Sequence, residues 1–174
     1  MSGERDDLLE HLERYRAVTL QHLDLFADAE LGWRPRPDAF SVGQQFVHIL
    51  HGEDFYIRGL FENDWNVARL RFPPVLPARA ALKEQFDTVR RATRRHLVGV
   101  DDDALDRVIC PPHAGGIQAS LRSWLWFVLE HEVHHKAQLA EYLRGLGRVP
   151  PYFAMVLPAG VRPDIEARAA LDGV

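Results

Sequence analysis

The strongest constraint on this chain is a pattern that recurs four times: apolar residues at i, i+3 and i+4, in long stretches separated by glycine- and proline-bearing breaks. From Asp6 to Ala29 the stripe runs Leu8, Leu9, Leu12, Tyr15, Val18, Leu23 and Phe26, with Thr19 and His22 on it. The segment Glu30 to Phe40 holds Gly32, Pro35 and Pro37 and reads as a loop. Ser41 with Gln44 three residues on is a capping-box pair, so a second helix is expected from Val42 to Phe61. Arg71 to Pro77 carries Pro73, Pro74 and Pro77 and is a linker. A third helix is expected over Ala78 to Val98. Asp101, Asp102 and Asp103 place acidic side chains in the first turn of a short following helix. Cys110 to Gly116 is a further loop. Ala119 to Gly145 is the longest helical pattern, ended by Gly145 and Gly147. A tail from Val149, rich in proline, allows one helical turn near Asp164 to Leu171. No repeat and no convincing strand pair is visible. The expected fold is therefore all-α, a four-helix bundle. Its breaks are longer than a minimal up-and-down bundle needs, so at least one crossover connection is expected. They are too short to define a second domain, and residues 1–174 read as a single domain.

Composition narrows the function classes. With 174 residues, 47% hydrophobic and 26% charged, the chain suits one globular domain that needs no disulfide or zinc staple. A net charge of −4 supplies no basic face, which argues against a nucleic-acid partner. Cys110 is the single cysteine, so no intrachain disulfide forms, in keeping with a reducing, cytoplasmic setting. No apolar run approaches a membrane span, and the charged, amphipathic start has no apolar core of a secretory signal. Only Lys83 and Lys136 are lysine, the other basic residues being arginine.

Nine histidines are many for this length, and their placement is the most informative feature. His131 and His135 are four apart, on the same helical stripe as Trp124, Leu125, Val128, Gln138, Leu139 and Tyr142. Two imidazoles in a core are costly unless each nitrogen finds a partner, and a shared metal ion satisfies both. The alternative is one hydrogen-bonded core histidine and one at the rim. A third ligand is offered by His48 or His51, three apart on the second helix, and the periodicity there does not choose between them. His11, His22, His96 and His113 carry no such pattern, and His134 is expected to face away from the pair. The run His131-Glu132-Val133-His134-His135 also fits the H-E-x-x-H pattern of zinc peptidases. That reading lacks a downstream histidine and any strand to hold a peptide.

Taken in order, these parts resemble the DinB-like proteins, including the YfiT-type thiol transferases and metal hydrolases. The resemblance is carried by Trp33-Arg34-Pro35, by Phe40-Ser41-Val42, by His48 and by His131-Glu132-Val133-His134-His135-Lys136-Ala137-Gln138. It ends with Tyr142-Leu143-Arg144-Gly145-Leu146-Gly147 and Pro150-Pro151. Ala137 stands where the family commonly has glycine. The resemblance implies a four-helix bundle whose metal is held by His48, His131 and His135, and it selects His48 over His51. Three imidazoles leave coordination positions open, as in catalytic sites. An all-nitrogen donor set suits zinc, nickel, copper or iron.

Glu53 and Glu132 are candidates for outer acceptors of the histidine N–H groups, or else solvated surface carboxylates. Arg90, Arg91, Arg94 and Arg95 read as a solvated basic face at the end of the third helix. Trp126, Leu129, Val133, Ala137 and Ala140 form a second apolar line on the fourth helix, which with the family resemblance implies a homodimer. The implied function is metal-dependent transfer of a low-molecular-weight thiol to an electrophile, or hydrolysis of a small substrate. The alternatives are a non-enzymatic metal-binding stress-response protein and an H-E-x-x-H peptidase.

Overall fold

The computed structural model describes residues 3–151, and the tail expected to turn near Asp164 to Leu171 lies outside them. Among those residues stand four long helices: α1 (Glu4–Asp24), α2 (Val42–Glu62), α3 (Arg79–Val98) and α4 (Leu121–Gly145). The starts follow the local chemistry. Ser41 caps α2 reciprocally: its Oγ accepts from the Gln44 amide at 3.2 Å and Gln44 Oε1 accepts from the Ser41 amide at 2.9 Å. Ser120 caps α4 by accepting from the Ser123 amide. Helix α1 stops at Asp24, earlier than its apolar stripe suggests, and Asp28–Glu30 forms a separate 3-10 turn. The loop around Cys110 is closed by a feature the sequence did not suggest, a two-residue antiparallel pair of β1 (Val108–Ile109) and β2 (Ala119–Ser120).

Packing places α1 between α3 and α4, and α2 likewise between α3 and α4. Consecutive helices α1 and α2 therefore stand across a diagonal, as do α3 and α4. Side-chain pairs give the directions. Arg5 at the start of α1 donates to the carbonyls of Val98 and Val100 at the end of α3, so these two are antiparallel. Glu4 pairs with Arg122 at 2.8 Å, so α1 and α4 run parallel. Gln45 meets Gln138 while Tyr56 stacks on Trp124, which makes α2 and α4 antiparallel. Glu53 meets Arg90 and Glu62 meets His96, which makes α2 and α3 parallel neighbours. The chain from Asn63 to Ala78 must then run back along the bundle, about 30 Å for helices of this length. That is the crossover the long breaks imply.

Two apolar clusters fill the interior. One gathers Leu23, Phe26, Phe46, Phe86 and Leu139; the other gathers Leu8, Leu12, Ile57, Leu97 and Leu125. Each fully buried side chain of this size contributes about 1.5–3 kcal/mol. Between the clusters lies a charged layer with one contribution from every helix: Arg16, Glu53, Arg90 and Glu132, each at most 5% exposed. Arg16 donates to Glu132 through Nε at 2.9 Å and Nη2 at 3.0 Å, and its Nη2 also reaches Glu53. Arg90 mirrors it, donating to Glu53 through Nε at 2.9 Å and Nη2 at 3.1 Å and to Glu132 at 3.1 Å. Thr19 Oγ donates to Glu132 and Thr93 Oγ to Glu53. The surface reading of Arg90, Glu53 and Glu132 is thus corrected. Arg91 and Arg94 do face solvent, but Arg90 turns inward because two carboxylates await it there.

Burial alone would raise the Glu53 pKa, yet the Arg90 and Arg16 guanidiniums outweigh it and hold the carboxyl at about 2. The unfolded chain titrates this group at 4.5. A depressed folded pKa stabilises the fold fully above the unfolded value and ceases to do so as pH falls toward the folded one. Urea denaturation should therefore report a loss of about 3 kcal/mol from Glu53 between pH 4.5 and 2. The Glu53→Gln variant, which has nothing to titrate there, should lose measurably less over the same interval. Equal acid sensitivity in the two proteins would contradict the assignment.

Candidate metal centre

The antiparallel pair α2 and α4 builds the site. The four-residue spacing puts His131 and His135 on one face of α4, and the packing brings His48 of α2 level with them. One ring nitrogen from each lies within 4.8 Å of the others. The Nε2 atoms of His48 and His131 are 3.1 Å apart. Ring centroids are separated by 4.8 Å for His48 and His131, 4.5 Å for His48 and His135, and 4.6 Å for His131 and His135. His51, the other residue that periodicity allowed, is directed elsewhere: it lines a cleft on the α3 side with Asp54, Glu84 and Thr88. His134 is exposed, with its ring edge on His135 at 4.9 Å.

Polar neighbours fix one ring. His135 Nδ1–H donates to Gln45 Oε1 at 2.8 Å and Gln138 Oε1 at 3.0 Å. That tautomer leaves its Nε2 lone pair toward the other two rings. Gln45 is held in turn, donating through Nε2 to Gln138 Oε1 and to the Tyr142 hydroxyl, which donates to the Phe40 carbonyl at 2.9 Å. The outer partners of His135 are therefore amides. Glu53 and Glu132, candidates for that role or for a solvated surface, are instead committed to the charged layer. For the same reason Glu132 is no free base for a peptidase, since Arg16, Arg90 and Thr19 occupy its oxygens.

The electrostatics favour neutral imidazole. Burial first, then the neighbouring His135 and His48, hold His131 down at about 3. Burial and His48 hold His135 at about 4, and burial lowers His48 also. Three uncharged imidazoles, each with a ring nitrogen within 4.8 Å of the others, are the form in which a divalent ion is taken up. The residues present thus fit such an ion, and the donor set suits zinc, nickel, copper or iron. Beside the centre a cleft of about 490 Å³ is lined by Phe40, Gln45, His135, Gln138 and Tyr142.

One contributor escaped the sequence reading. Gly52 lies one turn after His48, and a Cβ built on it would stand 2.6 Å from His131 Cε1. Real side chains do not approach so closely, so the glycine makes the space that the His131 ring fills. Its signal was an interior glycine in an otherwise good helix, which costs about 1 kcal/mol relative to alanine and calls for a packing reason. Gly52→Ala should displace His131 and weaken metal uptake about tenfold or more, while the far-ultraviolet circular dichroism stays helical. Uptake at the parental level would show that the ring has other room.

An all-α bundle of parallel and antiparallel neighbours with three histidines gathered between α2 and α4 defines a class of helical protein. The chain belongs to the DinB superfamily, whose family model matches residues 11–139. Two crystal structures of DinB-like proteins share its fold. One, from Bacillus subtilis, has 22% identity and a TM-score of 0.65, over 82% of this chain and 93% of that one. Another, from Bacillus cereus, has 19% identity and a TM-score of 0.71, over 85% of this chain and 96% of that one. No curated protein matches the sequence. Among the described residues no helix is long and apolar enough to cross a membrane.

Proposed function

We propose that this chain is a metal-dependent enzyme that transfers a low-molecular-weight thiol to an electrophile or hydrolyses a small substrate. Zinc, nickel or iron would be held by His48, His131 and His135. The observation that carries the reading is the convergence of three neutral imidazoles beside a cleft large enough for a small molecule. When bound, such an ion supplies a Lewis acid that favours a thiolate over a thiol, or lowers the pKa of a water. The protein's own residues have separate tasks. Gln45 and Gln138 fix the His135 ring, Tyr142 fixes Gln45, and the cleft walls orient what enters. The test is metal analysis of the purified chain, followed by a screen of low-molecular-weight thiols against an activated aryl halide, with ester hydrolysis run in parallel. Activity that a chelator removes and the ion restores supports the reading. Bound metal without turnover in either assay returns it to a non-enzymatic metal-binding protein.

Assembly belongs to the same proposal. The outer line of α4 is partly covered by its own chain, since Trp126 stands edge-on to His11 at 5.7 Å and Leu129 is buried. Val133 stays half-buried in a surface cleft with Tyr15, Trp126 and His134. A homodimer through this line places Val133 at the contact from both copies. Val133→Glu would then bury two like charges without partners, and light scattering should find a dimeric parent and a monomeric variant. A monomeric parent at tens of micromolar sinks the dimer.

A further inference from the structure

The cleft beside the three histidines has two kinds of lining. Gln45, Gln138 and Tyr142 are polar, but nearly all of their hydrogen bonding is spent within the protein. Gln45 Oε1 accepts from His135, and its Nε2 donates to Gln138 and Tyr142. Gln138 Oε1 accepts from Gln45 and His135, and its Nε2 donates to His134 at 3.1 Å. The Tyr142 hydroxyl donates to the Phe40 carbonyl. Charges at the rim also face one another: Arg36 pairs with Asp38 at 3.0 Å, and Glu141 with Arg144. The remaining lining, Pro35, Ala39 and Phe40, is apolar.

Phe40 is held firmly in that lining. Its carbonyl accepts from Tyr142, and the next residue, Ser41, caps α2. The half-buried ring stands 5.3 Å from the His48 ring and edge-on to Phe72 at 5.0 Å. His48 in turn lies 4.5 Å from His135, which lines the same cleft. The Phe40 ring therefore stands at the end of the cleft nearest the histidines. An aromatic partner gains there beyond the area it buries, because the rings' edges and faces carry opposite partial charge; a saturated ring of the same size gains only the area.

We propose that Phe40 sets the substrate class of the centre: the substrate carries an aromatic ring, which packs against Phe40 while its reacting group faces the histidines. As a statement about substrate this rests on the enzymatic reading above, whereas the ring contact itself does not. The probes are 2-phenylethanethiol and 2-cyclohexylethanethiol, which carry the same sulfur on the same two-carbon arm and differ in the ring. Each is titrated into the zinc-loaded full-length chain, and again after chelation, while the Ala39 methyl resonance is followed by nuclear magnetic resonance.

The quantity read is the ratio of the two affinities, since the acidities of the thiols affect it equally in every variant. Phe40→Leu should reduce the preference for the phenyl compound about three- to tenfold. Phe40→Tyr, which keeps the ring, should preserve it. So should Phe127→Leu, which removes a ring 6.5 Å from His131 but outside the cleft. Overhauser contacts between the probe ring and Phe40 in the parent are expected as well, and they decide the matter if the leucine variant fails to fold. Absence of those contacts, absence of saturable shifts with the phenyl compound, or an unchanged ratio in a folded Phe40→Leu variant overturns the proposal. A Phe40-dependent preference that zinc does not strengthen upholds the ring contact and removes support from the metal-dependent reading instead.

Discussion

Arg16→Met should destabilise the fold by about 3–5 kcal/mol, the largest loss expected of any single substitution considered for this chain. The guanidinium gives Glu132 two hydrogen bonds and Glu53 one, and it lies 4.4 Å from the Phe86 ring centre. Removing it leaves Glu132, 3% exposed, with only Thr19 and a single bond from Arg90. The cost is that of a buried charge stripped of its partner, which water cannot reach to solvate. A control separates this from lost packing. The double variant Arg16→Met with Glu132→Met removes both the cation and its bidentate acceptor and leaves Arg90 facing Glu53. Because deleting a whole pair is far less harmful than halving it, the double variant should recover more than half of the loss. Urea denaturation with an unchanged m-value checks both. An Arg16→Met protein within 1 kcal/mol of the parent would mean that the layer is hydrated. The same reasoning governs Glu132→Gln. It weakens the fold through the layer while leaving the histidines, and hence metal uptake, in place.

The second large effect falls on the metal. His48→Ala, His131→Ala and His135→Ala should each reduce divalent-metal affinity about a hundredfold or more, whereas His51→Ala and His134→Ala should change it less than threefold. Losing one of three imidazoles removes a direct donor, a greater change than the ten- to hundredfold typical of outer partners. Gln45→Ala and Gln138→Ala provide that intermediate case, since both amides orient His135. Elemental analysis and chelator competition at fixed pH measure the series. Full retention of metal by His48→Ala would move the third ligand elsewhere and break the proposed site.

Much of this architecture was legible in the residues. Helix periodicity and the Ser41–Gln44 pair located the bundle, because both are local and depend on spacing alone. The choice of His48 over His51 was not legible from period. Buried positions of α2 run from Val42 through Leu60 and surround most of the helix, so no single stripe marks its inner face; there the family resemblance carried the information. The charged layer was missed because an arginine beside other arginines looks solvent-facing, and its acceptors lie on different helices. A trace did exist. Arg16-Ala17-Val18-Thr19 and Arg90-Arg91-Ala92-Thr93 repeat the same spacing on α1 and α3, the two helices that supply the donors.

That layer has a consequence for the histidines, although it does no chemistry itself. Sliding any one helix by a turn would shift its charge about 5.4 Å. The charge would leave the polar plane and enter the phenylalanines on one side or the leucines on the other. Only one vertical alignment of the four helices pairs every charge, and in that alignment His48 stands level with His131 and His135. A bundle held by leucine and phenylalanine alone tolerates neighbouring alignments of similar energy. Here the ionic plane acts as a ruler, and the three histidines take their height from it.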